Sequence, residues 1–222
     1  MATLQETQVQ VGPHGPSVNF FLYVEGPSDA DILRIWGRRI SQRLARHLES
    51  RVVILGGRRP ARARDHFRAE CNAGRSGRGL VVLDRDHHTR ADDLASLEPG
   101  LETFIWQRRH IESYLLVAPA IRRALRHAIE PHLLDRLIEE CVPASEDEEA
   151  CREANAKKIL GSKGQLARSA GGRLSPAGVA RCMRLEELHP DIFALYERIR
   201  CVTGLEDHPL ITRIRREGAD SA

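Results

Sequence analysis

Apolar residues along this chain follow two rhythms, and the change between them divides it. In the first half, short unbroken apolar runs alternate with stretches of helical spacing. Residues 20–24, 51–55 and 80–83 form such runs, and 102–106 reads as a fourth. Valine-rich runs without polar alternation suit strands buried on both faces of a parallel sheet. After the first run, Leu33, Trp36, Ile40 and Leu44 recur at spacings of three and four. They predict one helix that lays this face on the sheet and fades near Ser50. Ser28 stands where a cap is wanted, with Asp29 and Asp31 favoured by the helix dipole in the first turn. A helix over about 61–71 and a glycine-rich loop lead to the third strand. Strand, helix and strand joined by short links predict parallel pairing with right-handed crossovers.

From residue 118 onward the rhythm is helical only. Segments 120–130 and 132–141 are separated by Pro131. Ser145 and Glu148 form a capping box for a helix that carries Lys157 and Lys158 in its last turn and stops at Gly161. Ser175 and Pro176 open another helix. Ile192, Leu195, Tyr196 and Ile199 share one face of the last. The expected fold class is therefore α/β: a parallel β-sheet sandwiched by helices, with a C-terminal helical extension. The core is expected over 18–118 and the extension over 119–201, with 1–17 and 202–222 as loose tails.

Length and composition narrow the class. At 222 residues the chain holds one domain, or a core with a helical appendage. No apolar run approaches a membrane span, and the first residues lack the basic and apolar regions of a signal peptide. A soluble cytoplasmic protein is the expectation. The five cysteines are scattered, odd in number and never paired as C-x-x-C, which argues against a disulfide framework and a zinc site. The net charge of +3 is too mild to announce a nucleic-acid binder by itself. Its distribution says more. Arg58, Arg59, Arg62, Arg64, Arg68, Arg75 and Arg78 crowd between the second and third strands. Arginine suits bidentate contact with phosphate. A solvated helix face, in a chain whose cations are almost all arginine, is the competing reading. Gly56-Gly57 before this cluster allows either a tight turn or the close approach of a phosphate.

Candidate chemistry gathers at the strand ends. Glu25 closes the first run, and Asp84-Arg85-Asp86 closes the third. In an open α/β sheet the ligand site lies at the carboxyl ends of the strands, so both deliver carboxylates to one edge. Asp84 and Asp86 alternate along an extended chain and share a face, while Asp29 follows Glu25 by four residues. Such carboxylates repel one another unless cations lie between them, and an all-oxygen set suits Mg²⁺ or Mn²⁺. Taken singly, each has a plainer reading: an exposed strand-end glutamate, a dipole-favoured aspartate, an aspartate-rich turn. The combination favours metal binding. His87 and His88 read as loop residues, because adjacent side chains diverge and a hard ion does not need imidazole. Tyr114 and Leu115 read as packing residues.

The stretches VEGPSDADIL from Val24, LDRD from Leu83, RRHIESYLL from Arg108 and GSKGQL from Gly161 carry a family resemblance. A strand-closing glutamate followed by Asp-x-Asp resembles the Toprim domain of topoisomerases, primases and nucleases. The four stretches together look most like nucleases of the OLD (overcoming lysogenisation defect) family, over 18–118 and more loosely to about 200. The resemblance implies a Toprim-like, divalent-metal-dependent phosphodiesterase acting on DNA or RNA. Glu25, Asp29, Asp84, Asp86 and Glu112 would hold Mg²⁺ or Mn²⁺, and Lys163 would stabilise charge at the scissile phosphate. Glu112 occupies the acidic position of the family's IE-x-Y-L segment. Glu25, Asp84, Asp86 and Lys163 would be the catalytic set, with Arg58, Arg59, Arg62 and Arg64 gripping the nucleic acid. Neither a topoisomerase-like tyrosine nor a primase-like zinc module is evident, which favours hydrolysis over strand passage or priming. Family members usually join this domain to an ABC-type ATPase, but the sequence holds no G-x-x-x-x-G-K-[ST] loop. A separate ATPase partner, self-association and a role in defence against phage are the corresponding expectations. The alternative is a non-catalytic Toprim module, a metal-binding regulatory or assembly subunit.

Overall fold

The computed structural model describes residues 19–75, 77–85 and 98–203. Four strands, β1 (Asn19–Val24), β2 (Val52–Ile54), β3 (Gly77–Leu83) and β4 (Leu101–Ile105), form one sheet in the order β2-β1-β3-β4. All three pairings are parallel, with Leu22 opposite both Val52 and Leu80, and Val82 opposite Phe104. The unbroken apolar runs follow from burial on both faces. Phe20, Leu22, Val24, Leu80 and Val82 enter one hydrophobic cluster, while Tyr23, Val81 and Leu83 enter another with Ala63 and Phe67.

The first cluster packs against α1 (Pro27–Ile40) and α2 (Gln42–Glu49), the second against α3 (Pro60–Asn72). The chain thus leaves β1 for β2 at one edge and returns through α3 to β3 on the other side of β1. Strand order reverses between β1 and β3, which is where open α/β sheets leave a crevice at their carboxyl ends.

The remaining helices are α4 (Ala118–Leu125), α5 (Pro131–Cys141), α6 (Glu148–Glu153), α7 (Ala156–Leu160), α8 (Gln165–Ser169), α9 (Pro176–Cys182) and α10 (Pro190–Thr203). A 3-10 turn, Ile111–Leu115, precedes them. Their apolar residues, among them Ile121, Leu160, Val179 and Ile199, belong to the same cluster as Leu22 and Val82 of the sheet. The Tyr196 hydroxyl of α10 donates to the carbonyl of Leu33 in α1. No described helix is long and apolar enough to cross a membrane.

Helix ends depart from the expected ones, at all but the start of α1 for one recurring reason. The helix expected to reach Ser50 is two, because extended Ser41 stops α1 and accepts the Leu44 N–H at 3.4 Å to cap α2. Gly26, not Ser28, stands at the cap of α1, with Pro27 in its first turn. The expected box at Ser145 and Glu148 gives way to Asp147, which accepts from Ala150 N–H at 2.9 Å. The helix expected to run to Gly161 breaks at Ala154, and Asn155 starts α7 by accepting from Lys158 N–H at 3.0 Å. Short polar side chains offer the backbone an alternative partner, and they take it here. Ser175 caps α9 as expected.

Candidate functional site

The carboxyl ends of β1 and β3 lie side by side, and a hydrogen bond joins the residues just beyond them. Glu25 Oε1 accepts the backbone N–H of Asp84 at 2.9 Å. Asp84 is buried, 3 % exposed. Its Oδ1 accepts the Ile111 N–H at 3.0 Å, and its Oδ2 receives the Lys157 ammonium at 2.6 Å. The β3 ladder ends at Leu83, so Ile111 and Lys157, rather than strand pleating, aim this carboxylate. Asp86, His87 and His88 lie outside the described residues.

Asp29 sits in the first turn of α1, where Oδ2 accepts the Gly26 N–H at 2.9 Å. Glu112 lies in the 3-10 turn and is 5 % exposed. Its Oε2 has no hydrogen-bond partner, and the Lys157 ammonium stands 3.9 Å away. Gly56 and Gly57 carry φ of 74° and 113°, a left-handed turn that suits glycine. This turn donates Gly57 N–H to the Glu25 carbonyl at 2.8 Å and brings Arg58 inward. The Arg58 guanidinium donates to the Asp84 carbonyl and stands 3.9 Å from Glu25 Oε1.

Burial dominates the electrostatics of this edge. It pushes the Glu112 carboxyl up from 4.5 to about 7, against the pull of Lys157 and with the help of Asp84 and Asp29. Burial also raises Glu25, offset in part by the Asp84 N–H, and raises Asp29, offset in part by the Gly26 N–H. At Lys157 burial works against the charge, but the bonds to Asp84 and the nearby Glu112 and Asp29 outweigh it, and its pKa rises.

The donor set is oxygen only, and one of its buried carboxylate oxygens, Glu112 Oε2, has no hydrogen bond. Both features fit a hard divalent ion. In the arrangement described, however, no three His, Cys, Asp or Glu side chains converge as a metal-holding group among the described residues. Glu25 and Asp29 are turned onto backbone N–H groups, and an ammonium stands beside both Asp84 and Glu112.

The structure brings together Glu25, Asp29, Asp84, Glu112 and Arg58, and adds Lys157, which the residue pattern places only in a helix's last turn. Asp84 and Lys157 are 73 residues apart, and no local pattern links them. The scarcity of lysine was the available signal, since all three lie between 157 and 163. Lys163 occupies the exposed turn before α8, and among the described residues no hydrogen bond or ion pair ties it to the acidic edge. A Cβ on Gly164 would lie 2.3 Å from the Ile159 carbonyl, so close packing requires glycine beside Lys163.

The arginine cluster is divided. Arg62 donates to the Leu55 carbonyl at 2.8 Å, holding the strand-to-helix turn. Arg64 stands 3.6 Å from Asp65, while Arg68 and Arg75 pair with Glu98 and Glu70. Arg59 is exposed at the N-terminus of α3.

A second polar cluster flanks the other side of the 3-10 turn. Buried Arg108 donates to Glu148 at 3.1 and 2.6 Å and to the Ser113 carbonyl at 3.1 Å. The Tyr114 hydroxyl accepts from the N–H groups of Gln107 and Arg108 at 3.1 and 3.0 Å and donates to Asp191 at 2.5 Å. Tyr114 thus bonds as well as packs, whereas Leu115 is fully buried and only packs. A cavity of about 720 Å³ opens beside this cluster, lined by Arg108, Tyr114, Val142, Cys151 and His189 among others, and none of the described acidic-edge carboxylates lines it.

No family model matches the sequence, and no curated protein sequence matches it. Solved structures do. The C-terminal region of the OLD protein of Xanthomonas campestris pv. campestris aligns over 86% of this chain and 98% of its own, with a TM-score of 0.53 and 15% identity. The C-terminal region of the Burkholderia pseudomallei OLD protein aligns over 84% and 98%, with a TM-score of 0.50 and 15% identity. Such low identity speaks for the fold alone: the chain has an α/β fold related to that of OLD C-terminal regions.

Proposed function

We propose that this chain is a divalent-metal-dependent phosphodiesterase of the OLD type, cleaving DNA or RNA. The buried Glu112 oxygen without a hydrogen bond, which shares Lys157 with the Asp84 that follows β3 where strand order reverses, is the observation that carries the proposal. Glu25, Asp29, Asp84 and Glu112 would hold Mg²⁺ or Mn²⁺, and Asp86 joins them on sequence grounds. Such an ion polarises the phosphate and steadies the leaving oxygen. Lys157 and Arg58 keep positive charge at the edge where the substrate's phosphate would sit. Exposed Arg59 offers a contact to the nucleic-acid backbone. A separate ABC-type ATPase as partner and a part in defence against phage belong to the same proposal, by resemblance to the family.

The second reading is a metal-binding regulatory or assembly module without catalysis, and the turn of Glu25 and Asp29 onto backbone N–H groups favours it. Incubation with plasmid, single-stranded DNA and tRNA separates the two. Cleavage in Mg²⁺ or Mn²⁺ that chelator abolishes supports the nuclease. Intact substrates under both metals, with and without a partner ATPase, support the module.

A further inference from the structure

The position of Lys157 has a consequence for how the acidic edge takes up an ion. Its ammonium stands 2.6 Å from Asp84 Oδ2 and 3.9 Å from Glu112 Oε2. Oxygen ligands hold Mg²⁺ at about 2.0–2.1 Å. An ion on those oxygens and an ammonium at hydrogen-bond distance from one of them would be like charges only a few ångströms apart, in a site where burial weakens the screening by water. One of them has to leave.

The backbone around Lys157 is poorly placed to yield. Asn155 caps α7, and Gly161 and Gly164 are packed so closely that a Cβ on either would lie 2.3 Å from a carbonyl oxygen of α7. The side chain has a way out, being 47% exposed. Resting on the metal-site reading above, we infer that Lys157 is a built-in counter-cation that a divalent ion displaces, with the lysine side chain rotating outward while α7 stays in place. The exchange explains why Asp84 and Glu112 remain together although no three described side chains converge on an ion. It also weakens metal binding, because the ion competes with a tethered charge. Once released, the ammonium faces solvent at the mouth of the site, where a substrate phosphate is its natural partner. A phosphate that takes the ammonium away from Asp84 strengthens metal binding, and metal strengthens phosphate binding by the same factor.

Calorimetry with Mn²⁺ on the wild type and on Lys157→Met tests the exchange. The variant keeps the apolar stem and removes the charge. Its dissociation constant should be at least about tenfold lower, the scale of losing a unit charge a few ångströms from the ion. Wild-type binding with equal or weaker binding by the variant overturns the inference and leaves the metal site standing. No binding by either overturns the metal site and the inference with it. A second measurement needs no variant and so survives a folding failure of Lys157→Met. Acetic anhydride labels lysines, and Lys158 and Lys163, both exposed, serve as internal references. Without Mn²⁺, Lys157 should react more slowly than either. With saturating Mn²⁺, its rate relative to them should rise several-fold. An unchanged relative rate overturns displacement.

Discussion

The two polar clusters on either side of the Ile111–Leu115 turn are built from similar side chains and are compensated differently. On one side, Arg108, Glu148, Tyr114 and Asp191 bond to one another and to backbone, and none of their buried atoms lacks a partner. On the other, Glu25, Asp29, Asp84 and Glu112 are held near one another by backbone N–H groups and by the charges of Lys157 and Arg58. One buried oxygen there has no hydrogen bond and only the Lys157 ammonium at 3.9 Å. Hydrogen-bond completeness marks the first cluster as a fastening between the turn, α6 and α10. The second is kept in place against its own repulsion by those backbone donors and two cations.

The contrast is sharpest in Asp84→Asn. The amide retains an oxygen for the Ile111 N–H but loses the charge that faces Lys157. Turnover in the cleavage assay should fall by about a thousandfold, the upper scale for one transition-state contact. The melting temperature should move by only about 3 °C. Arg108→Met should show the reverse: a loss of about 2–3 kcal/mol by urea denaturation, with cleavage per folded molecule unchanged. Full activity in the first variant, or lost activity in the folded second, would break the comparison.

The next effect is read in pH. The Glu112 pKa is raised to about 7 in the folded protein from its usual 4.5, so the folded state binds the extra proton between those values. Its contribution to stability is therefore complete below about pH 4.5 and is lost as pH rises through 7. In chelator, the wild type should lose about 2 kcal/mol between pH 5 and 8 that Glu112→Gln does not lose. Parallel urea curves for the two proteins would show that Glu112 is not held in the folded state as described. The smallest change belongs to Tyr114→Phe, which takes one hydroxyl from Asp191 and two backbone donors. It should cost about 1 kcal/mol, measured by the same denaturation, and leave cleavage untouched.

Much of the scaffold could be read from the residue pattern, because β1 and β3 are buried on both faces and burial left no polar interruption in their runs. Glu25 and Asp84 were visible for a related reason: an apolar run that ends abruptly in a carboxylate marks the edge where such sheets bind ligands. Helix ends were less legible, since Ser41, Asp147 and Asn155 compete with the helix for backbone donors, and spacing alone does not decide that competition. The aim of Asp84 came from Ile111, and its partner Lys157 from a helix far along the chain. Both contacts are products of packing, and no window of sequence contains them.

The separation of Asp84 from Lys157 also imposes an order in time. With 73 residues between them, a ribosome working at about 5–20 residues per second delivers the lysine roughly 4–15 s after the aspartate. When that interval begins, β1 and β3 are already made, and the carboxylates at their ends have no lysine to meet them. Charge compensation at this edge is thus completed in two steps, with Arg58 made before Asp84 and Lys157 after it.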